Sequence, residues 1–188
     1  MELMTQLRAD QTLIEKALAD YAAQWPSYGA LKDAMSYSLL SGGKRIRPAL
    51  TLAVCRLFGG REEDALPFAC GLEMVHTYSL IHDDLPCMDD DDFRRGQPTN
   101  HKVYGEANAV LAGDGLLTAA FATLAKAPLP PERICRGIAT LAQAAGPYGM
   151  VGGQVLDLLG EGQSLTEEEI TTIEALKTGC MIEAAARL

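Results

Sequence analysis

The chain has 188 residues, which is enough for one domain with a substantial hydrophobic core. Its hydrophobic content of 48% and charged content of 22% are typical of a soluble globular protein. The formal net charge of −9 argues against general nucleic-acid binding. Positive charges are nevertheless grouped, at Lys44, Arg45 and Arg47 and again at Arg94 and Arg95, and such groups in an acidic protein favour a small anionic ligand.

The cysteines and the N-terminus indicate the cellular compartment. The five cysteines are an odd number and include no Cys-x-x-Cys pair, which argues against a disulfide framework or a zinc site. We expect them to be reduced, buried thiols. The N-terminal residues lack the basic and then apolar layout of a signal peptide, and no apolar run approaches membrane-spanning length. We therefore expect a cytoplasmic protein without a transmembrane segment.

Helical periodicity dominates the chain, and runs of alternating β-branched residues are absent, so the predicted fold class is all-α. We expect a single domain over residues 1–188. The first helix is predicted over residues 2–23, with Leu3, Ile14 and Leu18 on its apolar face. The following helices are predicted, in chain order, over residues 31–40, 48–58, 63–85, 107–126 and 131–145, with Pro48 and Pro131 near helix starts.

The remaining segments are predicted from turn and capping residues. Residues 93–104 are expected to form a polar loop, and Gly113 to Gly115 to interrupt the helix that contains them. A short segment covers residues 152–157. A capping box at Ser164 to Glu167 begins the last helix. That helix shows no stop signal before Leu188, which suggests that the chain is a fragment, incomplete at its C-terminus.

The most unusual stretch lies between His76 and Lys102, where six aspartates precede two arginines. The carboxylates are Asp83 and Asp84, followed by the run of residues 89–92. Mg²⁺ binds one or two carboxylates together with substrate phosphates, and adjacent arginines match phosphate oxygens. Acidic and basic residues in one segment therefore suggest a metal-bridged phosphate ester.

Helical spacing places His76, Ser79 and Asp83 on one face of the fourth helix, with His76 and Asp83 two turns apart. Pro86 disfavours helix at Leu85 and marks its end. A turn over residues 85–88 is expected to return Asp89 toward Asp83. Other interpretations of single features remain open: residues 89–92 as a solvated acidic turn, His76 as a core histidine, and Gly42 to Arg45 as a helix cap with surface charges.

Several motifs together resemble the trans-isoprenyl diphosphate synthases, especially the bacterial farnesyl diphosphate synthases and the related geranylgeranyl enzymes. The matching stretches are Gly-Gly-Lys-Arg-Ile-Arg-Pro at 42–48, Ser-Leu-Ile-His-Asp-Asp-Leu-Pro-Cys-Met-Asp at 79–89, Arg-Arg-Gly-Gln-Pro-Thr at 94–99, Gly-Gly-Gln at 152–154 with Asp157, and Lys-Thr at 177–178. Their order and intervals both agree with the family. The resemblance implies an all-α helical bundle around a central cavity, of which this chain is the N-terminal part, and a homodimer.

The resemblance also implies the reaction: a head-to-tail condensation of isopentenyl diphosphate with an allylic diphosphate, dependent on Mg²⁺, with Mn²⁺ as an alternative metal. Asp83, Asp84 and Asp89 would hold the metal on the allylic diphosphate, which Arg94 would also bind. The residues implied for isopentenyl diphosphate are Lys44, Arg47, His76 and Arg95. Those implied around the allylic site are Gln154, Asp157, Lys177 and Thr178, the last two grouped with the aspartates as catalytic.

Two further expectations concern the chain length of the product and the activity of residues 1–188 alone. At a rise of 1.5 Å per residue, Tyr78 and Ser79 lie about 6 to 8 Å from the metal site along the helix, where a bulky residue would stop a growing chain. We expect a fifteen-carbon product, with a twenty-carbon product as the alternative. The family's second aspartate-rich motif is missing from residues 1–188, so this chain alone is expected to be weakly active or inactive.

Two other functions are considered. A terpene cyclase also uses an aspartate-rich motif but needs no isopentenyl site, so Lys44, Arg47 and His76 argue against it. A non-catalytic partner of a complete synthase agrees with the missing second motif. The intact first motif, Asp83 to Asp89, argues against that function.

Overall fold

The computed structural model describes residues 3–188, so the predicted helix start at residue 2 lies outside the described residues. Within them the chain is almost entirely helical, as predicted. The helices are α1 (Leu3–Ala23), α2 (Leu31–Leu39), α3 (Ile46–Leu57), α4 (Glu62–Asp83), α5 (Asn100–Tyr104), α6 (Glu106–Leu124), α7 (Pro131–Ala145), α8 (Met150–Gly160), α9 (Glu167–Glu174) and α10 (Cys180–Arg187). A π-helical turn, Ala175–Gly179, joins α9 to α10.

Helix α4 is the centre of the bundle and carries the predicted site at its C-terminal end. It is apolar around its circumference, as expected of a helix buried on all sides, and packs against α3 and α6. Leu72, Met74 and Val75 are completely buried there. The burial of each such side chain stabilises the folded state by roughly 1.5–3 kcal/mol. The aspartates at the end of α4 therefore follow a firmly packed helix.

The predicted interruption of α6 at Gly113 to Gly115 is wrong, because the helix continues through both glycines. A Cβ on Gly113 would lie 2.0 Å from His82 Nε2, and one on Gly115 would lie 2.8 Å from Met35 Sδ. Both glycines therefore serve close packing. The cost of glycine in a helix interior, about 1 kcal/mol, is offset by contacts that a larger residue would prevent.

Helix α6 is also the one helix of residues 3–188 that is long and apolar enough to cross a membrane by length and composition alone, although no apolar run of that length was expected. Its buried residues Ala109, Ala112, Leu116 and Ala120 follow helical spacing. They face α4, with which α6 shares its most extensive contact. The core helix of a globular domain passes the same test, so the result is weak evidence for a membrane segment.

The predicted polar loop at 93–104 is more ordered than expected. Phe93–Arg94 (β1) and Gln97–Pro98 (β2) pair as a short antiparallel hairpin, and α5 follows at Asn100. The two turn residues, Arg95 and Gly96, have φ of 54° and 78°. Positive φ at both central positions is required by the tightest hairpin turns, and glycine meets this requirement readily.

Other corrections concern individual residues. Leu3 is 79% exposed and is not part of the core, whereas Ile14 and Leu18 are fully buried. The capping box begins two residues later than predicted: Thr166 accepts from the Glu169 backbone N–H, and the Glu169 side chain accepts from Thr166. The segment predicted over 152–157 is the longer helix α8.

The cysteines are free, as expected, but not all are buried. Cys70 is buried, Cys55 and Cys180 are half-buried, and Cys87 and Cys135 are exposed. The exposed pair lies at surface turns and helix faces, where the sequence gives no sign of exposure. The expectation of five buried thiols was therefore wrong for these two residues.

Candidate active site

The loop after α4 brings the two separated aspartates together, as predicted. Helix α4 ends at Asp83, and the chain turns through Pro86 so that the Asp89 backbone N–H donates to the Asp83 carbonyl at 2.8 Å. Asp83 is half-buried and Asp89 is exposed. Burial raises the pKa of Asp83 to about 6, with Lys177 opposing the rise and Asp89 adding to it. A cation between Asp83 and Asp89 would offset the burial of the Asp83 charge and the repulsion between the two carboxylates.

Asp84 occupies a different environment from Asp83. Its side chain is only 3% exposed, and it accepts a hydrogen bond from Arg94 Nε at 2.7 Å. Burial raises the pKa of Asp84, and the Arg94 hydrogen bond opposes the rise. Arg94 also lies 3.4 Å from Asp91. In this arrangement Asp84 holds Arg94 in place beside the acidic loop.

Arg95, at the turn of the hairpin, points back across the molecule toward the end of α2. Its guanidinium donates to the Gly42 carbonyl and lies 3.4 Å from Ser41 Oγ. A Cβ on Gly43 would lie 2.9 Å from Arg95 Cζ, so glycine there lets the guanidinium approach the backbone. Burial, followed by the nearby Arg45 charge, lowers the pKa of Arg95. No carboxylate among the described residues forms an ion pair with it.

Arg47 and His76 meet on the same side of α4. Arg47 Nη1 lies 3.4 Å from His76 Nε2, and because arginine can only donate, this nitrogen of the imidazole is the acceptor. Burial and then the Arg47 charge lower the pKa of His76 to about 3, so the ring is neutral at neutral pH. Arg47 Nε is buried and has no hydrogen-bond partner among the described residues. A buried, unpartnered guanidinium N–H is costly unless an anion satisfies it.

Arg45 has a structural position that the sequence did not indicate. It is 3% exposed, donates to Glu73 Oε1 at 2.6 Å and donates to the Leu39 carbonyl at 2.7 Å. Its φ of 49° lies in the left-handed region, directly before α3 begins at Ile46. The predicted group of positive charges is therefore divided: Arg45 joins helices in the core, Arg47 is half-buried without an ion pair among the described residues, and Lys44 is exposed.

Lys177 lies in the π-helical turn and forms an ion pair with Asp157 of α8. Its Nζ is 2.6 Å from Asp157 Oδ2, and its charge lowers the pKa of Asp83. Gly153 makes this position possible, because a Cβ there would lie 2.3 Å from the Lys177 backbone nitrogen. Thr178 is exposed and Gln154 is half-buried. Lys177 thus pairs with Asp157 and acts electrostatically on Asp83, and Thr178 makes no side-chain hydrogen bond among the described residues.

The two residues proposed to limit product length lie one turn before Asp83. Tyr78 is 7% exposed, and its ring packs edge-on against His82 with centroids 5.7 Å apart. Burial, and then the Asp83 charge, raise the pKa of Tyr78. Ser79 Oγ donates to the His76 carbonyl at 2.9 Å, within the helix. Tyr78 is therefore the bulkier and more firmly held of the pair.

The donor set fits a hard divalent cation that is completed by a ligand. In residues 3–188, no three His, Cys, Asp or Glu side chains are grouped as a preformed metal site. Mg²⁺ requires only one or two carboxylates, since substrate phosphates and water supply the other oxygens. Asp83 and Asp89, held together by a backbone hydrogen bond, match that need. Asp84 is already bound by Arg94.

Comparisons with known proteins agree with these motifs. The family model described as polyprenyl synthetase matches residues 29–188. The farnesyl diphosphate synthase of Geobacillus stearothermophilus is 52% identical over 96% of this chain and 64% of its own length. The chloroplastic heterodimeric geranylgeranyl pyrophosphate synthase large subunit 1 of Arabidopsis thaliana is 49% identical over 100% of this chain and 52% of its own. The chain thus spans between about half and two thirds of these relatives.

Solved structures show the same relationship. An FPP/GFPP synthase from Zymomonas mobilis matches with a TM-score of 0.92 and 40% identity, covering 98% of this chain and 68% of the other. A geranyltransferase from Legionella pneumophila matches with a TM-score of 0.92 and 39% identity, covering 96% and 65%. The chain therefore belongs to the polyprenyl synthetase family and has the all-α isoprenoid synthase fold of that family.

Proposed function

We propose that the protein takes part in the Mg²⁺-dependent condensation of isopentenyl diphosphate with an allylic diphosphate. The observation that carries this proposal is the placement of two arginines, half-buried Arg47 and exposed Arg95, without carboxylate ion pairs among the described residues and near a paired acidic loop. His76 and Asp83 lie two turns apart on α4, about 10 Å along its axis. This separation leaves room for one diphosphate at the arginines and a second at the aspartates.

The residues supply charge where the reaction requires it. When bound by Asp83 and Asp89, Mg²⁺ supplies a Lewis acid for the departing diphosphate. Lys177, whose charge lowers the pKa of Asp83, adds a positive charge near the same leaving group. Arg47 and Arg95 hold the second diphosphate, and neutral His76 accepts from Arg47 and so orients its guanidinium. Preorganised charges in a site shielded from water cost little reorganisation during bond cleavage.

Two measurements test this proposal. Calorimetric binding of isopentenyl diphosphate to the chain should weaken about tenfold or more in Arg47→Gln, because a charge-assisted hydrogen bond contributes roughly 1.5–3 kcal/mol. The matched control, Arg187→Gln, changes an exposed arginine paired with Glu183 and should bind normally. Equal binding by both variants would remove Arg47 from the site.

Turnover is measured separately, with Mg²⁺ and labelled isopentenyl diphosphate, with and without dimethylallyl diphosphate. Allyl-dependent product that is lost in Asp83→Asn supports a prenyltransferase. Binding without turnover supports the alternative of a partner subunit for a complete synthase. Product formed from an allylic diphosphate alone supports a cyclase and contradicts the proposal. We expect weak turnover, because residues 1–188 contain one aspartate-rich motif.

For the product, we propose farnesyl diphosphate, with geranylgeranyl diphosphate as the alternative. Buried Tyr78 supports the shorter product, because it lies one to two turns before the metal-binding aspartate. Relatives named for each product have similar identities, 52% and 49%, so overall similarity does not separate the two. Tyr78→Ala should lengthen the product by one five-carbon unit or more in chromatographic analysis. Ser79→Ala is the control, and an unchanged length in Tyr78→Ala would remove Tyr78 as the stop.

The oligomeric state and the metal ion complete the proposed function. We propose a homodimer, on the resemblance to the family alone, and Mg²⁺ with Mn²⁺ as the alternative metal. Sedimentation velocity distinguishes a dimer from a monomer. A monomer that still binds isopentenyl diphosphate would contradict the dimer proposal while leaving the site unaffected.

A further inference from the structure

The loop between α2 and α3, residues 41–45, is held in place by side chains rather than by its own backbone. Gly42, Gly43 and Lys44 form no backbone–backbone hydrogen bond among the described residues. Gly42 and Gly43 have φ of 80° and 137°, values that glycine adopts at no steric cost. A loop with this freedom keeps one conformation only if other groups hold its carbonyls, because ordering each residue costs conformational entropy.

Two side chains from distant parts of the chain hold these carbonyls. Arg95, at the turn of the hairpin, donates from Nη1 to the Gly42 carbonyl. Gln11, in α1, donates from Nε2 to the Gly43 carbonyl at 2.8 Å. The two acceptors belong to consecutive planar peptide groups, so a shift of the second displaces the first. Gln11 and Arg95 therefore hold the same short segment from two sides.

Gly43 also contacts Arg95 directly. A Cβ on Gly43 would lie 2.9 Å from Arg95 Cζ, so the glycine backbone lies against the guanidinium. Gln11, Gly43 and Arg95 thus form one unbroken series of contacts. Nε and Nη2 of Arg95 make no hydrogen bond among the described residues. Their N–H groups are the donors that remain for the oxygens of an anion.

Helix α1 is a firm support for Gln11. The neighbouring residue, Asp10, is 4% exposed and accepts from Arg56 of α3 with both carboxylate oxygens, at 2.8 and 2.6 Å. One turn after Gln11, Glu15 Oε1 lies 3.9 Å from Arg45 Nε. The amide of Gln11 therefore extends from a helix that is fixed to the rest of the bundle on either side of it.

We propose that Gln11 is a positioning residue for Arg95, acting through the carbonyls of Gly43 and Gly42. The side chain of Arg95 is exposed, so without this support it would lose more conformational freedom when it binds an anion. A guanidinium that is oriented in advance pays less of this cost. The consequence for isopentenyl diphosphate rests on the proposed function, whereas the series of contacts does not. The sequence motifs include no residue of α1, so this role comes from the fold alone.

The direct test is the rate at which the Arg95 guanidinium rotates about its Nε–Cζ bond, measured by NMR on the 188-residue chain without ligand. Gln11→Met removes the donor and keeps a long side chain with good helix propensity. Rotation should become about fivefold faster, since a hydrogen bond that contributes roughly 1 kcal/mol is lost. The matched control, Gln24→Met, removes a glutamine bond to the Asp20 carbonyl just beyond α1, and the rotation rate should not change. An unchanged rate in Gln11→Met would overturn the proposal.

A double-mutant cycle tests whether the effect on binding passes through Arg95. Calorimetry with isopentenyl diphosphate and no metal should show about fivefold weaker binding for Gln11→Met, for the same reason. In the Arg95→Gln background the same change should weaken binding by less than about twofold, because residues that act as one unit are not additive. Equal losses in both backgrounds would show that Gln11 acts on the fold rather than on Arg95. If the unmodified chain did not bind isopentenyl diphosphate, the proposed function would be contradicted instead, and the rotation rate would still decide the role of Gln11.

Discussion

The buried ion pair between Arg45 and Glu73 gives a quantitative prediction. The Arg45 side chain is 1% exposed and the Glu73 side chain 3%, and Nη1 and Oε1 are 2.6 Å apart. Arg45→Met leaves Glu73 charged, buried and without its partner, and it removes the donor to the Leu39 carbonyl. Removing one member of such a pair typically costs about 3–5 kcal/mol. That is a large share of the roughly 5–15 kcal/mol that stabilises a domain.

Urea denaturation, monitored by circular dichroism, measures this loss of stability as a lower midpoint urea concentration for Arg45→Met. Two variants act as controls. Arg187→Met removes an exposed pair whose partners are both 66% exposed, and it should change stability by less than about 1 kcal/mol. Arg45→Met combined with Glu73→Leu removes both charges and should recover much of the lost stability, because apolar replacements of buried pairs are often neutral. A loss below about 1 kcal/mol for Arg45→Met alone would refute the assignment of Arg45 to the core.

Three further predictions follow from the site and its packing. Gly113→Ala should lower stability by about 1–3 kcal/mol in thermal unfolding, because the new Cβ overlaps the His82 ring; no change would show that the ring can move freely. Asp83→Asn should stabilise the metal-free chain at pH 7 by roughly 1–2 kcal/mol after solvent screening. The sign follows from the pKa of Asp83, which is raised to about 6 in the folded state. The folded state favours protonated Asp83, so the stability of the wild-type chain falls as the pH rises from about 4 through 6. At pH 3.5 Asp83 is protonated, and Asp83→Asn should be no more stable than the wild type. An equal advantage at both pH values would contradict this cause. Gly153→Ala should weaken Mg²⁺-dependent pyrophosphate binding several-fold by moving Lys177, whereas Gly162→Ala, in an open turn, should leave binding unchanged.

The main helices and the return of Asp89 toward Asp83 could be predicted because both depend on local signals. Helix α4 ends at Asp83, shortly before Pro86, and a proline boundary can be seen directly in the sequence. The predicted break in α6 was wrong because glycine occurs both at helix breaks and at close contacts between helices. The difference depends on what lies opposite, in this case His82 and Met35, and this information is not local.

The roles of the charged residues could be predicted only in part. Motif spacing placed Arg45, Arg47, Asp83 and Asp84 near the site. The sequence does not show which charged residue of each motif faces the core. Burial separates them: Arg45 and Asp84 are buried and each has an ion-pair partner, whereas Arg47 and Asp83 are half-buried and have none among the described residues. Buried Asn100 was not singled out, because its hydrogen bonds reach Ala34 and Ser38, more than sixty residues earlier.

The π-helical turn at Ala175–Gly179 has a consequence for how this region tolerates insertions and deletions. Backbone angles on both sides are those of a right-handed helix, so α9 and α10 form one continuous rod with one extra residue in a single widened turn. Deleting one residue there would restore a regular helix, but it would rotate everything after the deletion by about 100° relative to what precedes it. Lys177 and the buried face formed by Met181 and Ala185 could then no longer both keep their directions. The widened turn thus lets Lys177 point toward Asp157 while Met181 and Ala185 of the same rod stay buried.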